Sequence, residues 1–229
     1  MSDRYAEGFY TVPALTSDLV LAADATLTAN TIIARRGGLT ENSFAFEGPG
    51  GGIDLRGVVN TDILEIGYQS DALSQYGGFQ REITIANPAN RIGTLRADSF
   101  SGLLQGDVTV VDSEGGLTVE GRWVAGLGAG IQISTVGDLT LAAGAELSTG
   151  LASGIEDVPP YADIVLAAQG GRFINQAGAD ALNPTGTGRF LIYSADPADD
   201  NRGGLVGAPV YNKTFAANAP GTITQTGNR

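Results

Sequence analysis

The sequence contains no cysteine and no histidine, and its only lysine is Lys213. Without cysteine there is no disulfide, no thiolate nucleophile and no zinc–thiolate site. Without histidine the commonest general base, the commonest metal ligand and the usual pH switch are gone. No catalytic residue, metal or cofactor is therefore expected. Basic residues are scarce, 13 against 25 acidic ones, for a formal net charge of −12. Such a surface repels phosphate backbones and anionic lipid, so no nucleic-acid partner is expected. No apolar run reaches the roughly 18 residues that a membrane-crossing helix needs, so no membrane insertion is expected either. The opening Met1-Ser-Asp-Arg-Tyr5 has no charged region followed by an apolar stretch, so it is not read as a signal peptide. It reads like the middle of a domain, and the chain is expected to be a piece of a longer protein.

Glycine is abundant, with 34 residues, about twice the ordinary share of roughly 7%. Frequent glycine favours closely spaced turns over long helices, because glycine inside a helix costs about 1 kcal/mol relative to alanine. A pattern recurs between Gly106 and Asn175: an acidic residue, a short alternating strand, a small-residue turn and a second short strand. It begins at Asp107, Asp138 and Asp163, with looser copies at Asp18 and Glu82. A repeat of about 20–30 residues built this way reads as one coil of a parallel β-solenoid. The recurring carboxylates are expected at exposed turns, where Asp accepts bonds from backbone N–H groups. A cation-binding acidic ladder is the alternative, but calcium needs six to eight converging oxygens.

Between the repeats, alternation of apolar and polar residues predicts strands at Leu19–Leu21, Thr31–Ile33, Ile63–Ile66, Ile92–Leu95, Val108–Val110, Leu117–Val119, Ile131–Ile133 and Leu139–Leu141. Ile164–Leu166, Phe173–Ile174 and Phe190–Tyr193 continue the series. Val108, Val110, Leu139, Leu141, Ile164 and Leu166 are expected to point inward into one continuous core. Gly48-Pro-Gly-Gly-Gly52 lacks the Lys-Ser/Thr and the following helix of a phosphate loop. Gly126-Leu-Gly-Ala-Gly-Ile131 carries Ile where a dinucleotide fingerprint needs Gly or Ala. Both read as turns, as does Arg35-Arg36-Gly37-Gly38. Residues 67–80 break the rhythm and read as a projecting insertion, the kind of segment to which solenoids add function. Tyr68, Tyr76 and Phe79 within it are the ligand-binding candidates, and the plainer alternative is an aromatic patch folded over the coil. Asn212-Lys-Thr214 fits a glycosylation acceptor.

Several strings together carry a family resemblance. Ala162-Asp-Ile-Val-Leu-Ala-Ala168, Arg172-Phe-Ile-Asn-Gln-Ala-Gly-Ala-Asp-Ala-Leu182, Gly188-Arg-Phe-Leu-Ile-Tyr-Ser-Ala-Asp-Pro197 and Gly203-Gly-Leu205 resemble the distal part of filamentous-haemagglutinin-like exoproteins. Asn90-Arg-Ile-Gly-Thr-Leu95 and Gly137-Asp-Leu-Thr-Leu141 are similar to coil sequences of the same family. The resemblance is concentrated in residues 80–205. Asn87-Pro88 and Asn183-Pro184 lack the context of that family's Asn-Pro motifs, so this is not its transporter-recognition end. The closing Gly227-Asn-Arg229 is the kind of string that precedes further repeat modules there.

The resemblance implies a large Gram-negative surface protein exported by two-partner secretion, with a shaft wound as a right-handed parallel β-helix. The expected organisation is an irregular N-terminal cover at 1–16, a parallel β-helix at 17–194, and a C-terminal cap and linker at 195–229. The expected role is a non-enzymatic structural and adhesive shaft, secreted to the bacterial surface. Its expected partners are a host or neighbouring-cell glycan or protein and, for the full-length protein, an outer-membrane transporter. The alternative is a carbohydrate-active β-helix enzyme, a polysaccharide lyase or hydrolase working with surface carboxylates.

Overall fold

The computed structural model describes residues 19–36, 52–68, 82–97, 106–126, 128–149 and 162–229. They are all-β and hold no α-helix, with one 3-10 turn at Pro220–Thr222. The first six strands are β1 (Leu19–Leu21), β2 (Thr26–Arg36), β3 (Ile53–Leu55), β4 (Val58–Tyr68), β5 (Ile83–Ile85) and β6 (Arg91–Ala97). Then come β7 (Val108–Val111), β8 (Leu117–Glu120), β9 (Arg122–Ala125), β10 (Ile131–Thr135), β11 (Leu139–Leu141) and β12 (Glu146–Thr149). The last four are β13 (Ile164–Ala168), β14 (Phe173–Asn175), β15 (Leu182–Asn183) and β16 (Phe190–Tyr193).

These strands form three sheets, in which every pairing between strands is parallel. A seven-stranded sheet runs β1-β3-β5-β7-β10-β13-β16, a six-stranded sheet runs β14-β11-β8-β6-β4-β2, and a three-stranded sheet runs β15-β12-β9. Along the chain the sheets are visited in turn: seven-stranded, six-stranded and, from β9 onward, three-stranded, before the cycle restarts. Each circuit therefore lays a new strand beside the one from the circuit before. Measured along the seven-stranded sheet, circuits range from 23 residues, Val108 to Ile131, up to 34, Leu19 to Ile53.

Alternation decides what goes inward. Ile53, Ile83, Val108, Ile131, Ile164 and Phe190 occupy one register column, and all six belong to the main core. Leu64, Leu95, Val119 and Leu141 form a matching column in the six-stranded sheet. Val108, Val110, Leu139, Leu141, Ile164 and Leu166 are all buried in this one cluster, as their alternation predicts. Coils lie close enough that a Cβ on Gly52 would meet the carbonyl oxygen of Glu82 at 2.2 Å, so only glycine fits there.

Three sequence expectations need correction. The strand expected at Ile63–Ile66 runs from Val58 through Tyr68, because pairing with β2 continues to Gly67 and Tyr68. Arg35 and Arg36, read as part of a turn, are the partners of those two residues and end β2. The third correction concerns phase. The copies starting at Asp107 and Asp163 lead into the seven-stranded sheet, whereas the copy at Asp138 leads into the six-stranded one. Both approaches share one local recipe, an acidic residue before an apolar–polar–apolar strand, so the sequence alone aligns them as equivalent.

Candidate functional site

The acidic residues that open the repeats act between coils. Asp107 Oδ1 accepts the backbone N–H of Gly130 on the next coil at 2.7 Å, and Asp163 Oδ1 accepts that of Arg189 at 3.1 Å. Asp138 does the same in the six-stranded sheet, accepting the Arg172 N–H at 2.8 Å. Its second oxygen takes the Arg172 guanidinium at 2.8 Å, and that bond holds the Asp138 carboxyl below its ordinary value. These four carboxylates, Glu82 included, do not form a single column. Glu82, Asp107 and Asp163 share one column, in which Glu82 stands directly beside Asp107 and Gly130 separates Asp107 from Asp163, whereas Asp138 lies between Gly116 and Arg172 in the six-stranded sheet. Each Asp oxygen facing the next coil satisfies a backbone donor at the start of a strand. Among the described residues there is no cluster of three or more metal-ligating side chains.

A second polar set, which the sequence reading missed, is buried at the corner between the seven- and six-stranded sheets. Asn90 is fully buried, accepts the Val59 N–H at 2.9 Å and donates to the Val111 carbonyl at 3.0 Å. Asp112 accepts the Ile92 N–H at 2.8 Å and the Thr135 hydroxyl at 2.6 Å. Burial pushes the Asp112 carboxyl up, and the bonds from Thr135, Ile92 and their neighbours only partly offset it. The one available signal was position: Asp112 directly follows β7, Thr135 ends β10 and Asn90 stands just before β6.

The outer surface carries cross-coil ion pairs. Arg91 meets Glu114 at 2.7 Å, Arg96 meets Glu120 at 2.7 Å and Arg122 meets Glu146 at 3.3 Å. Between them run rows of hydroxyls, such as Thr94, Thr118 and Thr140 in register on the six-stranded sheet. On the seven-stranded sheet the equivalent outward row is Asp54, Thr84, Thr109 and Gln132, and then Val165 and Leu191.

That change from polar to apolar marks a cavity. Val165, Ala167, Leu191 and Tyr193 form a second apolar cluster outside the sheet, covered by Phe215 and Ile223 of the returning C-terminal segment. Tyr193 meets Phe215 edge-to-face at 5.3 Å and donates its hydroxyl to the Asn218 carbonyl at 3.0 Å. Arg189 fastens the same segment through the Gln225 and Pro220 carbonyls while holding Asp163 at 3.0 Å. A cavity of about 70 Å³ remains beside this cover, with Leu191, Tyr193, Val210 and Ile223 as apolar walls and Arg202 and Lys213 among its polar lining.

Of the three aromatic candidates, Tyr68 is the last residue of β4, in register with Arg36 of β2. Tyr76 and Phe79 lie outside the described residues. The segments 1–18 and 69–81 lie outside them too. No helix among the described residues is long and apolar enough to cross a membrane. In comparison with known proteins, the chain matches no family model, no curated protein and no solved structure.

Proposed function

We propose that the chain is a shaft segment of a secreted, filamentous-haemagglutinin-like bacterial surface protein, wound as a right-handed parallel β-helix. Its role is structural and adhesive rather than enzymatic. The observation that carries this reading is the direction in which polar groups are spent. The Asp107, Asp138 and Asp163 carboxylates each bond the backbone of the neighbouring coil, and the surface ion pairs likewise run from coil to coil. Such side chains lengthen a stack. The cyclic order of the sheets supports a helical winding, and right-handed crossovers are the general rule for parallel strands. The resemblance in residues 80–205 supports the family, the surface location and export through an outer-membrane transporter.

In this reading Tyr68, Tyr76 and Phe79 supply the adhesive contact, stacking on sugar rings or packing against a protein on a host or neighbouring cell. A single contact of this kind is weak and gains strength by repetition along a filament. The test is binding to a glycan array and to cultured host cells by the wild-type chain and by Tyr68→Ala/Tyr76→Ala/Phe79→Ala. Loss of binding in the triple variant supports the assignment, and equal binding rejects it. Cleavage of a polysaccharide by the wild type would replace the adhesin reading with the enzyme.

A further inference from the structure

The two ends of the stack are finished differently. At the end reached last, Leu205 is buried in the main core and Asn201 pairs with Ile174 beyond β14. Arg229 bonds Phe190 and Ile192 through its backbone at 3.0 and 2.9 Å, and Asn228 Oδ1 takes the Phe190 N–H at 3.0 Å. At the end reached first, the inward columns stop uncovered among the described residues. Leu19 is 41% exposed where its register partner Ile53 is 0%, and Leu27 is 38% exposed where Val59 is 0%. Among the described residues no strand pairs with the outer edges of β1 and β2. Two side chains in core register thus face out of the end of the stack, a costly exposure of apolar surface.

We propose that this end face is a docking surface for the chain's own residues 9–15, Phe9-Tyr-Thr-Val-Pro-Ala-Leu15, which lie outside the described residues. Only residues 16–18 separate this segment from β1. Phe9, Tyr10, Val12 and Leu15 offer apolar area of the kind that Leu19 and Leu27 lack. The connection also has the right length. Five residues separate β9 from β10 and six separate β15 from β16, and six separate Val12 from Leu19. A second copy of the chain is the competing occupant. Two chains of net charge −12 repel each other, whereas a short tether holds its segment at an effective concentration on the order of millimolar.

The absence of cysteine makes the test clean, since Leu27→Cys introduces the only thiol. Its rate of maleimide labelling is measured in the full chain, in a variant lacking residues 1–16, and in Phe9→Ala/Tyr10→Ala/Val12→Ala. The proposal expects slow, concentration-independent labelling in the full chain and at least about tenfold faster labelling in both variants. If the deletion prevents folding, the triple alanine variant decides alone. Equal rates in the full chain and the triple variant would overturn the proposal. Labelling that slows with rising protein concentration, together with a dimer in sedimentation, would assign the face to a second copy and overturn it as well.

Discussion

Asp112 shows how one residue links sequence, fold and pH. It sits where β7 ends, with its two oxygens bonded to the Ile92 N–H and the Thr135 hydroxyl of the flanking coils. Removing the side chain would leave a buried N–H and hydroxyl without their partner, at a cost of about 1–3 kcal/mol. Because burial raises its pKa above 3.8, the folded chain binds a proton more tightly than the unfolded one. The contribution of Asp112 to stability is then greatest below pH 3.8 and falls as pH rises through its elevated pKa. In melting experiments across pH, the stability of wild type relative to Asp112→Asn should decline from pH 3.8 upward and then level off. A relative stability that instead rises across that window would contradict the burial of this group. Asp138 has the opposite sign: its lowered pKa stabilises the fold above pH 3.8, an effect lost as pH falls through the lowered value.

At the scale of the element, β13 explains what a strand's outward face reports. Strands such as β7 and β8 alternate buried and half-exposed positions, whereas all five residues of β13 are buried. The reason is visible in composition: Val165 stands where earlier coils have Thr109 and Gln132, Ala167 where the coil before has Ser134, and Phe215 and Ile223 pack against them. Val165→Asp should therefore cost at least about 1.5–3 kcal/mol. Thr109→Asp, in the same outward row where the described residues supply no such cover, should change stability by about 0.5 kcal/mol or less. Chemical denaturation of the two variants measures the contrast, and equal effects would mean that the cover does not form. Legibility also varied by element. Strands such as Val108–Val111, Leu117–Glu120 and Leu139–Leu141 could be read because alternation leaves a period of two. Arg122–Ala125 and Leu182–Asn183 were missed, since Arg-Trp-Val-Ala and Leu-Asn are too short or too irregular to show one. The ends of β2 and β4 were missed because pairing, not local pattern, carries those strands to Arg36 and Tyr68.

At the scale of the molecule, the repeat pointed to the all-β, parallel-sheet arrangement that the structure has, but misjudged the phase of Asp138. A repeat unit was visible, yet which sheet each copy served depended on register between residues more than 20 apart. The candidate site was less legible still. Aromatic residues at 68, 76 and 79 stand out by composition, while Asn90 and Asp112 become informative only once burial is known. What holds the whole together is that each strand in the interior of a sheet serves two neighbours, one from the coil before and one from the coil after. Leu139 pairs with Leu117 on one side and Phe173 on the other, and Ile131 likewise with Val108 and Ile164. The most direct measurement is nuclear Overhauser spectroscopy of the labelled chain, reading Hα–HN contacts across these two triplets. The account predicts contacts from Leu139 and Ile131 to both of their partners with the spacing of parallel strands. Antiparallel contacts, or contacts from each strand to one neighbour only, would contradict the stacked-coil architecture on which the shaft reading rests.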